Sequence, residues 1–152
     1  MQQNVKQLTP DELGAWRGFL RVHAAVIRQL DRELTEAHGL PLRAYEVLLY
    51  LEDAPNRRLR MTDLAARVLL SQSGLTRLVD RLERDGFVER QRCDDDRRGL
   101  WAMLTPAGLE ALRAARRTHL AGVRARFLSR FDADELRELG GFWERVLPGA
   151  SQ

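Results

Sequence analysis

Cysteine is almost missing from this chain: Cys93 is the only one in 152 residues. A single cysteine excludes an intramolecular disulfide and any cysteine-rich zinc site. The three histidines, His23, His38 and His119, are scattered. They show neither H-x-x-x-H nor carboxylate–histidine spacing, so no metal site is expected. No run of about 18 apolar residues exists, so no helix is expected to span a membrane. The start, MQQNVKQLTPDE, lacks the basic-then-apolar pattern of a signal peptide, which points to the cytoplasm. There is no glycine-rich phosphate loop, no interpretable Ser/His/Asp set and no paired-carboxylate signature, so neither an enzyme nor a cofactor is expected. Internal repeats and low-complexity segments are absent as well.

What remains is the composition of a soluble helical protein. Hydrophobic residues make up 44% and charged residues 31%, enough for both a core and a solvated surface. The net charge is only +3, and Lys6 is the sole lysine among 25 basic residues. Arginine suits planar, bidentate contacts to phosphate and guanine. Between Arg60 and Arg98, however, arginines and acidic residues nearly balance. Any nucleic-acid binding must therefore depend on where charges are placed, not on their sum.

Thr9-Pro10-Asp11-Glu12 opens the first helix, with Thr9 as N-cap, Pro10 at N1 and Glu12 closing a capping box. Gly39 and Pro41 stop this helix after His38. Its apolar stripe, Trp16, Leu20, His23, Ile27, Leu30 and Leu34, is longer than one small domain can cover, which calls for a partner subunit. PLRAYEVLLYLED forms a second helix, apolar nearly all round and hence central. PNRRLR follows as an exposed arginine-bearing loop. A short helix begins near Met61, capped by Thr62, and a turn lacking the usual glycine leads to Ser71: a helix-turn-helix.

The segment SQSGLTRLVDRLERDG is the centre of the chain. Ser71 is a good N-cap, and Gly86 sits where a left-handed glycine ends a helix. Leu75, Leu78, Val79 and Leu82 form the buried stripe. The opposite stripe is Ser73, Thr76, Arg77, Asp80 and Arg84, small and polar at its N-terminal end. A helix that enters a DNA major groove needs such a face. A solvated face with Asp80–Arg84 and Arg81–Asp85 pairs fits the same pattern. Phe87–Arg92 and Leu100–Leu104 alternate like strands of a hairpin around the charged turn Cys93–Gly99. Thr105-Pro106 opens a long helix to about Ser129, with Leu109, Leu112, Leu120, Val123 and Phe127 inward. Asp132 and Glu135 form another capping box for a last helix, weakened at Gly140-Gly141 and ended by Pro148-Gly149.

This order, and above all DDDRRGLWAMLTPAG (Asp94 to Gly108) following SQSGLTRLVDRLERDGFVER, resembles the MarR (multiple antibiotic resistance regulator) family of winged helix-turn-helix transcription factors over nearly the whole chain. The resemblance implies a mainly α fold with a two-stranded β-wing and long N- and C-terminal dimerisation helices. Residues 1–40 and 106–152 would dimerise, and 41–105 would bind DNA, all in one compact domain. It implies a bacterial repressor that binds a pseudo-palindromic operator in double-stranded DNA as a homodimer. By position, Gln72, Ser73, Thr76 and Arg77 would read bases or anchor phosphates, while Arg81 and Arg84 would touch the backbone. Arg98 matches the wing arginine that enters the minor groove, where a narrow groove concentrates negative potential. Asp96 matches the aspartate that stabilises the wing. Release by a small anionic or aromatic effector is implied too, with Trp16, His23 and Tyr45 as candidate pocket residues. The alternative is a winged-helix module that binds a protein and no specific DNA; weak dependence on salt would mark it.

Overall fold

In the computed structural model, which describes residues 7–93 and 99–151, the chain forms six α-helices and one three-stranded sheet. Helix α1 spans Pro10–His38, α2 Leu42–Asp53, α3 Met61–Arg67, α4 Gln72–Arg84, α5 Pro106–Arg126 and α6 Ala133–Val146. Strands β1 (Arg58–Arg60), β2 (Val88–Arg92) and β3 (Leu100–Leu104) pair antiparallel in the order β1-β3-β2.

The helix boundaries follow from local chemistry. Thr9 accepts from the Glu12 amide and Glu12 reaches back to the Thr9 amide, so the capping box of α1 is complete. Gly39 ends α1 at φ +61°, a conformation that a side chain disfavours. Ser71 caps α4 through the Gly74 amide, and Gly86 follows its last turn at φ +76°. Asp132 and Glu135 cap α6 reciprocally, and α6 runs unbroken through Gly140 and Gly141 to Val146.

Three expectations need correcting. Arg60, not Thr62, occupies the cap position of α3, and no side chain bonds there. PNRRLR is not simply an exposed loop. Pro55–Arg57 make one 3₁₀ turn, with Asn56 and Arg57 left-handed, and Arg58–Arg60 then pair with Trp101–Met103 as β1. The apolar signal was one residue long: Leu59 alone is buried there, flanked by two arginines that face outward. The third correction concerns α5, which stops at Arg126 and leaves Leu120 53% exposed.

The core surrounds α2. Leu42, Ala44, Tyr45, Val47, Leu48 and Leu51 are all buried, as the apolar circumference of this helix demands. Leu64 of α3, Leu75, Val79 and Leu82 of α4, Ala102 of β3 and Leu112 of α5 close around it. In α1 only Leu30 and Leu34 join that core. Gly122 of α5 lets α1 approach closely: a Cβ there would lie 2.5 Å from Glu33 Oε2 and 2.7 Å from Leu30 Cδ2. Glu33 also takes the Arg126 guanidinium at 2.7 Å. The sheet therefore hangs between the end of α4 and the start of α5, where Thr105 bonds the Gly86 and Phe87 carbonyls. Among the described residues no helix is long and apolar enough to cross a membrane.

Candidate nucleic-acid interface

Helix α4 buries Leu75, Val79 and Leu82, and that packing sets its rotation. Residues half a turn away must then face solvent, and Gln72, Ser73, Thr76, Arg77 and Arg84 do. The Thr76 hydroxyl donates to the Gln72 carbonyl at 2.8 Å. Its proton is thereby committed, which leaves a lone pair and a methyl group outward. Ser73 Oγ lies 3.3 Å from Ser71 Oγ, beside the cap. Arg77 projects into solvent one turn further along. Thus the first two turns present an amide, two hydroxyls and a guanidinium, which can match both base edges and phosphates.

The two carboxylates on this helix are answered from the sheet. Arg90 of β2 forms an ion pair with Asp80, and its Nε meets Glu83 Oε2 at 3.1 Å. The Glu83 carboxylate also accepts the Arg90 backbone amide at 3.1 Å. The Asp80 hydrogen bond, with the nearby Glu83 charge, holds the Arg90 proton more firmly than usual, outweighing partial burial. Arg90 thereby offsets the two carboxylate charges on this side of α4. Sequence reasoning missed this residue. The signal was available: period-two alternation puts Arg90 on the face of buried Val88, and an inward arginine needs carboxylates.

The remaining expected residues separate. Arg84 Nε turns back to the Asp80 carbonyl at 3.3 Å, so the supposed Asp80–Arg84 side-chain pair is not the arrangement adopted. Arg81 Nη2 donates to the Gly39 carbonyl at 3.2 Å, at the end of α1. Arg98 and Asp96 lie outside the described residues. At the base of the wing, Arg60, Thr62, Gln72, Thr76, Arg90 and Leu100 line a cleft of about 420 Å³. On the outer face of the sheet, the guanidinium carbons of Arg58 and Arg60 sit 4.6 and 5.5 Å from the centre of the Trp101 ring.

Trp16, His23 and Tyr45 do not share one pocket. His23 lines an apolar groove of about 420 Å³ between α1 and the C-terminal segment, with Phe19, Val22, Phe127, Leu139 and Trp143. Trp16 stacks at its edge, 6.0 Å from the Phe19 ring. Tyr45 is buried between α2 and α5, its ring 4.7 Å from that of His119. Arg116 stands beside it and pairs with Glu52. Burial raises the Tyr45 pKa, against the pull of Arg116. It lowers that of His119, whose Nδ1 has no hydrogen-bond partner among the described residues. Among the described residues no three His, Cys, Asp or Glu side chains converge as metal ligands.

Comparison with known proteins places this geometry. A MarR family model matches residues 38–99. The chain is 35% identical to Sco3205, a MarR family transcriptional regulator from Streptomyces coelicolor solved in complex with DNA. The TM-score is 0.87, over 95% of this chain and 91% of that one. AbsC, a MarR family transcriptional regulator from the same organism, is also 35% identical, with a TM-score of 0.85 over 93% and 95% of the two chains. The HTH-type transcriptional repressor YetL of Bacillus subtilis (strain 168) is 32% identical over 111 residues. That match covers 71% of this chain and 66% of the repressor, just under two thirds of its length.

Proposed function

The chain belongs to the MarR family of transcriptional regulators, and on that premise we propose that it is a repressor that binds duplex DNA as a homodimer. One α4 enters each of two successive major grooves, and the wings reach the flanking minor grooves. The observation that carries this reading is the outer face of α4. Gln72, Ser73, Thr76 and Arg77 stand exposed while Asp80 and Glu83 are tied to Arg90. A solved relative in complex with DNA at 35% identity supports the same use of the fold.

The homodimer rests on apolar surface that one chain leaves uncovered. Helix α6 has no fully buried residue, and Trp16, Phe19, Leu20, Phe142 and Val146 remain exposed. A second copy covers that surface and sets the two α4 helices about 34 to 36 Å apart, one turn of B-DNA. The role is non-enzymatic and cytoplasmic, where the DNA lies. A small anionic or aromatic effector, acting where the dimerisation helices meet the winged region, releases the operator by changing that separation.

The test is titration of the protein against its own upstream intergenic DNA at two salt concentrations, beside a random duplex. Tight binding that favours the upstream DNA and weakens steeply with salt is the expected result. Arg77→Ala should lower affinity and flatten the salt slope by about two, one phosphate contact being lost from each subunit of the dimer. Absence of binding to either duplex at low salt would instead favour a protein-binding module. An effector is tested on the same complex, by whether aromatic carboxylates release the DNA.

A further inference from the structure

Position along α4 puts Arg81 beside the phosphates, but the structure turns its guanidinium toward the end of α1. Its acceptor, the Gly39 carbonyl, belongs to the left-handed residue that ends a 29-residue helix. Carbonyls there lack intrahelical partners and carry the negative end of the helix dipole, so a cation is welcome. The same turn is a joint for the other helices. His38 Nε2 lies 2.7 Å from Thr118 Oγ1 on α5, and Asp31 Oδ1 accepts the Leu42 amide of α2 at 2.8 Å. Leu40 beneath it is buried. Among the described residues, Arg81 supplies the hydrogen bond that joins α4 to this joint.

Helix α4 is otherwise seated on the core by Leu75, Val79 and Leu82, and Arg90 ties its outer side to β2 but not to α1. Apolar contact is non-directional, so it fixes burial more firmly than tilt. A hydrogen bond is directional and limits the angle. We propose that Arg81 is a positioning residue: its bond to the Gly39 carbonyl fixes the angle between α4 and α1, and so sets which half-site spacing the dimer accepts. This rests on the reading of the protein as a DNA-binding dimer. One base pair of extra spacing moves a half-site by about 3.4 Å and turns it by about 35° around the duplex. A helix free to tilt tolerates that change better than a fixed one.

The experiment compares wild type, Arg81→Ala and Arg81→Lys on an operator and on the same operator lengthened by one base pair at its centre. Wild type should prefer the natural spacing at least tenfold. Arg81→Ala should reduce that preference to within about threefold, with its salt slope unchanged because no phosphate contact has been lost. Arg81→Lys, which can still reach the carbonyl, should restore most of the preference. A salt slope lower by about two in Arg81→Ala, one contact from each subunit, would overturn the proposal and make Arg81 a phosphate contact. So would an undiminished spacing preference. A second measurement needs no DNA: spin labels on Arg32→Cys and Asp85→Cys, with Cys93→Ser, in protein diluted with unlabelled chain. The α1–α4 distance distribution should broaden in Arg81→Ala, and an unchanged width overturns the positioning role. If wild type binds neither duplex, the DNA-binding reading fails, and the label distances decide the role of Arg81.

Discussion

A leucine occupies the turn before α4 at φ +53°, 82% exposed. The left-handed region costs an L-residue about 1–2 kcal/mol, and Asn or Gly bears it better. Leu69→Asn should therefore raise stability by about 0.5–1 kcal/mol in urea denaturation. Gly108 is the opposite case. Its Cβ would lie 2.1 Å from the Phe87 carbonyl, which already accepts the Thr105 amide. Gly108→Ala should destabilise by about 2–3 kcal/mol, because backbone, not a mobile side chain, is in the way. Burial holds the His119 pKa below its ordinary 6.5, with the Glu46 charge opposing. The unfolded chain then takes up that proton first as pH falls, so stability is full above about 6.5 and declines below it. Denaturation midpoints at pH 5 and pH 7.5 should differ less in His119→Phe than in wild type.

Among the elements, α4 was the most legible. Its cap, its buried stripe and its final glycine stand in the sequence in one helical period, and each falls where that period puts it except Leu78, which is only half-buried. Strand β1 was not legible, because three residues with one buried leucine carry no periodic signal; only pairing with β3 makes them a strand. The same holds for Arg90, whose role appears once β2 is laid beside α4. Arg90→Ala should remove the Asp80 and Glu83 partner on the face proposed to meet DNA. The expected result is weaker duplex binding with the loss largest at low salt, where repulsion is least screened. Equal losses at 50 and 300 mM salt would mean that Arg90 acts only through folding.

For the whole molecule, the decisive feature is the apolar groove between α1 and the C-terminal segment. Phe19 lines it, its ring 5.7 Å from that of Trp143. Phe19→Asp should convert the proposed dimer to a monomer by light scattering while leaving helical content intact, since Phe19 is already 45% exposed in the single chain. DNA affinity should fall with it, because one half-site contact replaces two. The sequence alone determined the six helices, the N-caps of α1, α4, α5 and α6, the hairpin of β2 and β3, and the polar face of α4. Those depend on neighbours three or four residues apart, or on a strong family pattern. Tertiary structure decided the third strand, the pairing of Arg90 with Asp80 and Glu83, the turning of Arg81 to Gly39, and the separation of Tyr45 from Trp16 and His23. Each of these joins residues far apart in the chain, and long arginine and aromatic side chains find partners through packing that no local period encodes.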